Sequence, residues 1–114
     1  MGIGRSGFNL TAVASMIDSA TNSYNSQELR SELAIGGNKS KEYFAALQEK
    51  VEEINAEFGK PLTWYSTENV QTCRVYVRKT VKLFDESDWP NQHEWLLTNL
   101  EKMRAAFEFR VKKL

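Results

Sequence analysis

The chain has 114 residues, of which 41% are hydrophobic and 26% charged, a balance that suits one globular domain with its own core and excludes a disordered polar chain. Fifteen basic and fifteen acidic side chains cancel, so no global field draws nucleic acid or a membrane surface. One cysteine excludes an internal disulfide, and no run approaches membrane-spanning length; a soluble cytoplasmic protein is expected.

The cancellation hides an asymmetry. Residues 1–57 carry five basic and eight acidic side chains, and residues 58–114 carry ten and seven.

"GIGRSG", residues 2–7, reads as a flexible lead, because it enters a strand and so lacks the helix dipole of an anion cradle. "FNLTAVASMI" alternates, with Phe8, Leu10, Ala12, Ala14 and Met16 on one face, the period of a strand. "DSATNSYNS", residues 18–26, reads as a long connection. "QELRSELAI" alternates again, with Leu29, Leu33 and Ile35 inward and Glu28, Arg30 and Glu32 outward.

From Lys39 the period changes. Tyr43, Phe44, Leu47, Val51, Ile54 and Phe58 form one stripe of a single helix that opens at "SKEYF" with a cap and first turn. Gly59 ends that helix and Pro61 prevents its continuation. "PLTWYS" and "TCRVYVRKTV" are the next strands; in the second, Cys73, Val75 and Val77 share one face and Arg74, Tyr76 and Arg78 the other.

The last helix starts at "DWPNQHEW", with Pro90 tolerated in its first turn and Asp88 placed to cap free amides. Trp89 and Trp95 read as bulky packing against the sheet. Leu96, Leu100, Met103, Phe107, Val111 and Leu114 form its stripe. The expected fold is a single α+β domain in two layers. A four-stranded, largely antiparallel sheet carries two helices on one face, in the order strand-strand-helix-strand-strand-helix.

Catalysis finds little support. His93 is the one histidine, and its simpler reading is a surface residue of a helix start rather than a base. Cys73 falls on the inward face of its strand, where a buried structural thiol is expected. No metal-ligand spacing or phosphate-binding glycine loop occurs, so neither metal nor cofactor is expected, and no small-molecule ligand is identifiable.

One surface carries a functional expectation. Arg30, Arg74, Tyr76 and Arg78 share the outward face of the sheet, and residues 71–82 hold four basic side chains and no acidic one. Arginines and a tyrosine so placed can join protein partners, or stack on bases and hold phosphates. The plainer reading pairs the arginines with Glu28, Glu32 and Glu68 on a solvated face. The expected function is a non-catalytic binding or assembly module, self-associating as a homodimer through the open sheet face or an edge. Nucleic-acid binding is the alternative, and an enzyme using His93 with a carboxylate ranks last. No membrane partner is expected.

The segments "GRSGF", "RSELAI", "KEYFAALQEKVEEINAEFGKPLTWY", "CRVYV" and "DWPNQHEWLLTNLEKMRAAFEFRV" carry a resemblance over nearly the whole chain. Together they resemble a bacterial and archaeal domain family of unknown function. Its I-x-x-x-x-G-x-x-L-x-W segment matches Ile54, Gly59, Leu62 and Trp64, and its closing helix matches Trp89, Trp95 and Phe107. The resemblance implies an accessory module that often follows a PD-(D/E)XK-type nuclease domain in restriction or defence systems. No acidic residue here is followed two positions on by lysine, so that nuclease's metal-site element is absent and no catalytic residue carries over.

Overall fold

A computed structural model of the chain describes residues 2–16 and 26–114. The expected connection over residues 18–26 lies outside these, apart from Ser26. Strands β1 (Phe8–Ser15), β2 (Gln27–Ile35), β3 (Thr63–Thr67) and β4 (Val70–Val81) form one sheet in the order β1-β2-β4-β3, with every neighbouring pair antiparallel. Helices α1 (Ser40–Gln48), α2 (Val51–Phe58) and α3 (Trp89–Lys112) pack on one face of it, so the two-layer α+β architecture is as expected.

The period-two alternation of the strands becomes a core face. Phe8, Leu10, Leu33, Ile35, Cys73, Val75 and Val77 point inward against Phe44, Leu47, Ile54, Phe58, Met103 and Phe107 from the helices. Trp64 fills the middle, with its ring centroid 5.6 Å from Phe44 and 6.1 Å from Phe107 in edge-on contacts. Cys73 is buried, as its inward position predicts.

Four local expectations need correction. The helix expected from Lys39 to Gly59 is two helices, parted at Glu49 and Lys50, where Lys50 N–H donates back to the Leu47 carbonyl at 3.0 Å. Gln48, Glu49 and Lys50 are all good helix formers, so tertiary packing bends the chain there: α1 lies on β4, whereas α2 lies on α3. Gly59 does end α2, at φ 102°, a left-handed conformation that suits glycine.

Ser40 does not cap α1. It is helical and buried, and its hydroxyl donates to the Gln71 carbonyl on β4. Asp88 caps no amide either; its carboxylate accepts from the side chains of Asn91 and Gln92, at 3.2 and 3.1 Å. Instead Asp85 accepts from Ser87 N–H at 3.1 Å, fixing a 3₁₀ turn over Glu86–Asp88 that feeds α3.

The lead "GIGRSG" is tied down rather than free. Ile3 is buried in the core and Gly2 bridges Asn9. Arg5 donates to the Leu114 carbonyl and to the Tyr43 hydroxyl, the latter at 2.9 Å, with its guanidinium 4.8 Å from the Tyr43 ring centroid.

Two consequences can be measured. Phe107 is fully buried and Phe109, two residues on, is 71% exposed. Phe107→Ala is expected to cost about 3–5 kcal/mol in urea denaturation, and Phe109→Ala almost nothing. Separately, Arg110 clasps Glu57 with hydrogen bonds of 2.6 and 3.0 Å, joining α3 to α2. The hydrogen bond from Arg110 holds the Glu57 carboxyl below its usual value of 4.5. A lowered folded-state pKa adds stability above that usual value and loses it as pH falls through the folded one. Glu57→Gln should therefore lower the urea midpoint at pH 7 and leave it unchanged at a pH below both values.

Candidate functional site

Among the described residues no helix lies over the outer face of the sheet, and its side chains form rows across the strands. The register sets Asn9, Ala34, Arg74 and Tyr65 in one row, and Thr11, Glu32, Tyr76 and Thr63 in the next. Val13, Arg30 and Arg78 make the third row, and Ser15, Glu28 and Thr80 the fourth. All four residues expected from the sequence, Arg30, Arg74, Tyr76 and Arg78, therefore share this face.

Their partners lie one row away, in the same diagonal sense each time. Arg74 Nη1 donates to Glu32 Oε2 at 3.0 Å, and Arg78 Nε donates to Glu28 Oε1 at 3.1 Å. The Arg30 guanidinium lies 5.0 Å from the Tyr76 ring centroid. Diagonal contacts of this kind come within reach of long side chains on a twisted antiparallel pair.

Glu28 and Glu32 are only 1% exposed, although no described helix covers them. This corrects the expectation of a solvated row: the two carboxylates are outward in register but buried in fact, and they pair with arginine side chains. Arg30 stands between them, 3.6 Å from Glu28 and 3.8 Å from Glu32. Those distances are ion pairs, too long for hydrogen bonds, and Arg30 Nε and Glu32 Oε1 are both buried without a hydrogen-bond partner. Among the described residues, ion pairs of the three arginines run to Glu28 and Glu32, and none to Glu68.

Arg30, Arg74 and Tyr76, together with Tyr65, line a depression of about 470 Å³. Arg78 does not line it; besides Glu28 it donates to Thr80 Oγ1 at 3.0 Å. Tyr65 was not among the residues singled out from the sequence. The alternation of "TWYST" does turn Thr63 and Tyr65 outward, but only the pairing of Tyr65 with Arg74 brings it to the depression.

His93 is exposed and lines a separate cleft of about 350 Å³ with Ala14, Leu29, Leu83, Trp89, Gln92 and Leu96. Among the described residues that line it there is no carboxylate. Trp89 anchors the start of α3 by donating its indole N–H to the Leu83 carbonyl at 2.7 Å, and Trp95 packs half-buried against the core. Among the described residues no group of three or more His, Cys, Asp or Glu side chains is placed to hold a metal ion.

The sheet's two edges differ. At β3 the register shifts between Tyr65 and Thr67, and Lys41 Nζ donates to the Thr67 carbonyl and, at 2.7 Å, to Ser66 Oγ. A bulge and a lysine both blunt an edge. At β1, Gly2 bridges Asn9, but no strand among the described residues lies beyond residues 11–14. Ala12, Ala14 and Met16 are exposed although they point to the helix side, and Leu97 on α3 is 63% exposed.

This architecture defines an α+β domain with a charged, ion-paired sheet face and one unblunted edge. Residues 1–111 match the family described as Domain of unknown function (DUF4268), and the chain belongs to that family. A search of the curated proteins and of the solved structures finds no match. Among the described residues no helix is long and apolar enough to cross a membrane.

The buried carboxylates generate a prediction about stability. Glu32→Ala removes a buried anion from beneath Arg30 and Arg74 and is expected to cost about 2 kcal/mol, less than the loss for a fully buried pair because the guanidiniums are partly exposed. Arg74→Ala should cost less, since Arg30 still faces Glu32. Urea midpoints of the two variants test this order.

Proposed function

We propose that this domain is a non-catalytic assembly module that pairs with a second copy of itself along β1. One observation carries the reading: β1 is an uncharged strand, "FNLTAVAS", with neither the bulge nor the lysine that blunts β3.

The strand is self-complementary. Two antiparallel copies related by a two-fold axis bring no like charges together in any register, because β1 has no charged side chain. Ala12, Ala14 and Met16 form an uncovered apolar strip on the helix side of that edge. Leu97 lies four residues from His93 on the α3 flank that reaches Ala14, so it extends the strip. A second copy would cover the strip with its own equivalent residues while the strands exchange main-chain hydrogen bonds.

Such a module brings together two copies of whatever chain it is joined to, a nuclease domain of the type implied by the resemblance being one such case. A reducing cytoplasm suits its single buried thiol.

Analytical ultracentrifugation tests the reading. The protein should sediment at twice its chain mass, and Ala12→Lys/Leu97→Lys should return it to one chain mass while keeping a cooperative urea transition, both positions being exposed. A wild-type protein that stays monomeric at high concentration overturns the proposal, as does a variant that stays dimeric.

A further inference from the structure

The depression on the outer sheet face has a feature that pairing along β1 does not use. Arg30, Arg74 and Arg78 lie over Glu28 and Glu32. Among the described residues, guanidinium donors without an acceptor belong to two arginines that line the depression. Arg74 gives only Nη1 to the protein among the described residues, so its Nε and Nη2 have no protein acceptor. Arg30 is held by ion pairs too long for hydrogen bonds, with its buried Nε lacking an acceptor. By contrast, Arg78 is engaged with Glu28 and Thr80 outside the depression.

The walls beside these donors are aromatic. Tyr76 is stacked under Arg30, which fixes its ring, and Tyr65 is 48% exposed beside Arg74. A site with free guanidinium donors and an accessible ring fits an anionic group attached to a planar one. An open sheet face with exposed aromatic and arginine side chains suits unpaired bases, whose ring faces are available, while a duplex hides them in its stack.

We propose that the depression lined by Arg30, Tyr65, Arg74 and Tyr76 binds single-stranded nucleic acid one nucleotide at a time, with a base on Tyr65 and its phosphate on Arg74. With Arg74 the arginine that offers free donors there, this is a short contact, not a long phosphate track. Its salt dependence is accordingly shallow, with a slope of about −1 in log K against log salt, the value for one or two phosphates of a single strand.

Fluorescence anisotropy with a short labelled oligo(dT) in low salt is the test. Binding should weaken about tenfold in Tyr65→Ala, by loss of one stacked base. In Arg74→Gln it should weaken and lose most of its salt dependence, as removal of one phosphate contact lowers the slope by about 1. Arg104→Gln, a charge change on the opposite layer, should leave it unaltered. Urea midpoints accompany each variant, and exposed Tyr65 carries the test if Arg74→Gln does not fold. Absence of binding in low salt overturns the proposal, and so does binding that Tyr65→Ala leaves intact. Equal affinity for duplex DNA, or preference for a poly-glutamate peptide, overturns it in favour of plain charge attraction. The same titration on Ala12→Lys/Leu97→Lys separates this site from self-association: the site lies within one copy, so that variant should bind as the wild type does.

Discussion

The outer face of the sheet is organised by the burial of two carboxylates. Glu28 and Glu32 are out of water on a face that no described helix covers, and an anion so placed requires cations and hydrogen-bond donors close by. The chain meets that requirement with side chains from the same two central strands. Arg30 stands between the glutamates, while Arg74 and Arg78 reach them diagonally from β4. Because the arginines lie over the glutamates, the face is close to neutral, and Arg30 is brought onto the Tyr76 ring. The surplus of hydrogen-bonding capacity is left at the row holding Arg74 and Tyr65.

The helix layer sets where the sheet is left uncovered. α1 lies on β4 and α2 packs on α3, while α3 itself lies over β2 and β1. Phe8 and Leu10, at the start of β1, are buried under α3 and the tied N-terminal lead, with Ile3 beside them in the core. Farther along, Ala12 and Ala14 keep the inward phase of the strand but are exposed, as is Met16 just beyond it. One strand is thus core at one end and open at the other, and the open end is also the edge without a blunting device.

Periodicity made most of the fold legible. The alternation in β2 and β4, the stripe of α3 and the stop at Gly59 are local patterns, and each one became the expected element. What stayed hidden depends on contacts distant in sequence. Alternation says which face Glu28 occupies, but not that it is buried there beside Arg78, fifty residues away. Tyr65 joins the depression through a strand register that no spacing reveals. The break between α1 and α2 has no glycine or proline to mark it, because the cause is a change of packing partner. Likewise, Arg5 looks like part of a free lead until its reach to Leu114 and Tyr43 is seen. The arginines and their pairing with Glu28 and Glu32 were legible as a face; the burial of those carboxylates was not.

The open edge and the depression lie at opposite margins of one sheet, β1 at one side and the β4–β3 pair at the other. Antiparallel pairing of β1 with a second β1 would continue the sheet without reversing its faces, so both depressions would open to the same side. Five strand spacings of about 4.8 Å separate the two β4 strands in such an arrangement, or about 24 Å before twist is considered. Neither site would then obstruct the other, and a single strand able to span that gap would engage both by local concentration rather than by any new contact. A shallow, one-nucleotide site is weak alone and useful in pairs, so the two surfaces make physical sense together although neither requires the other.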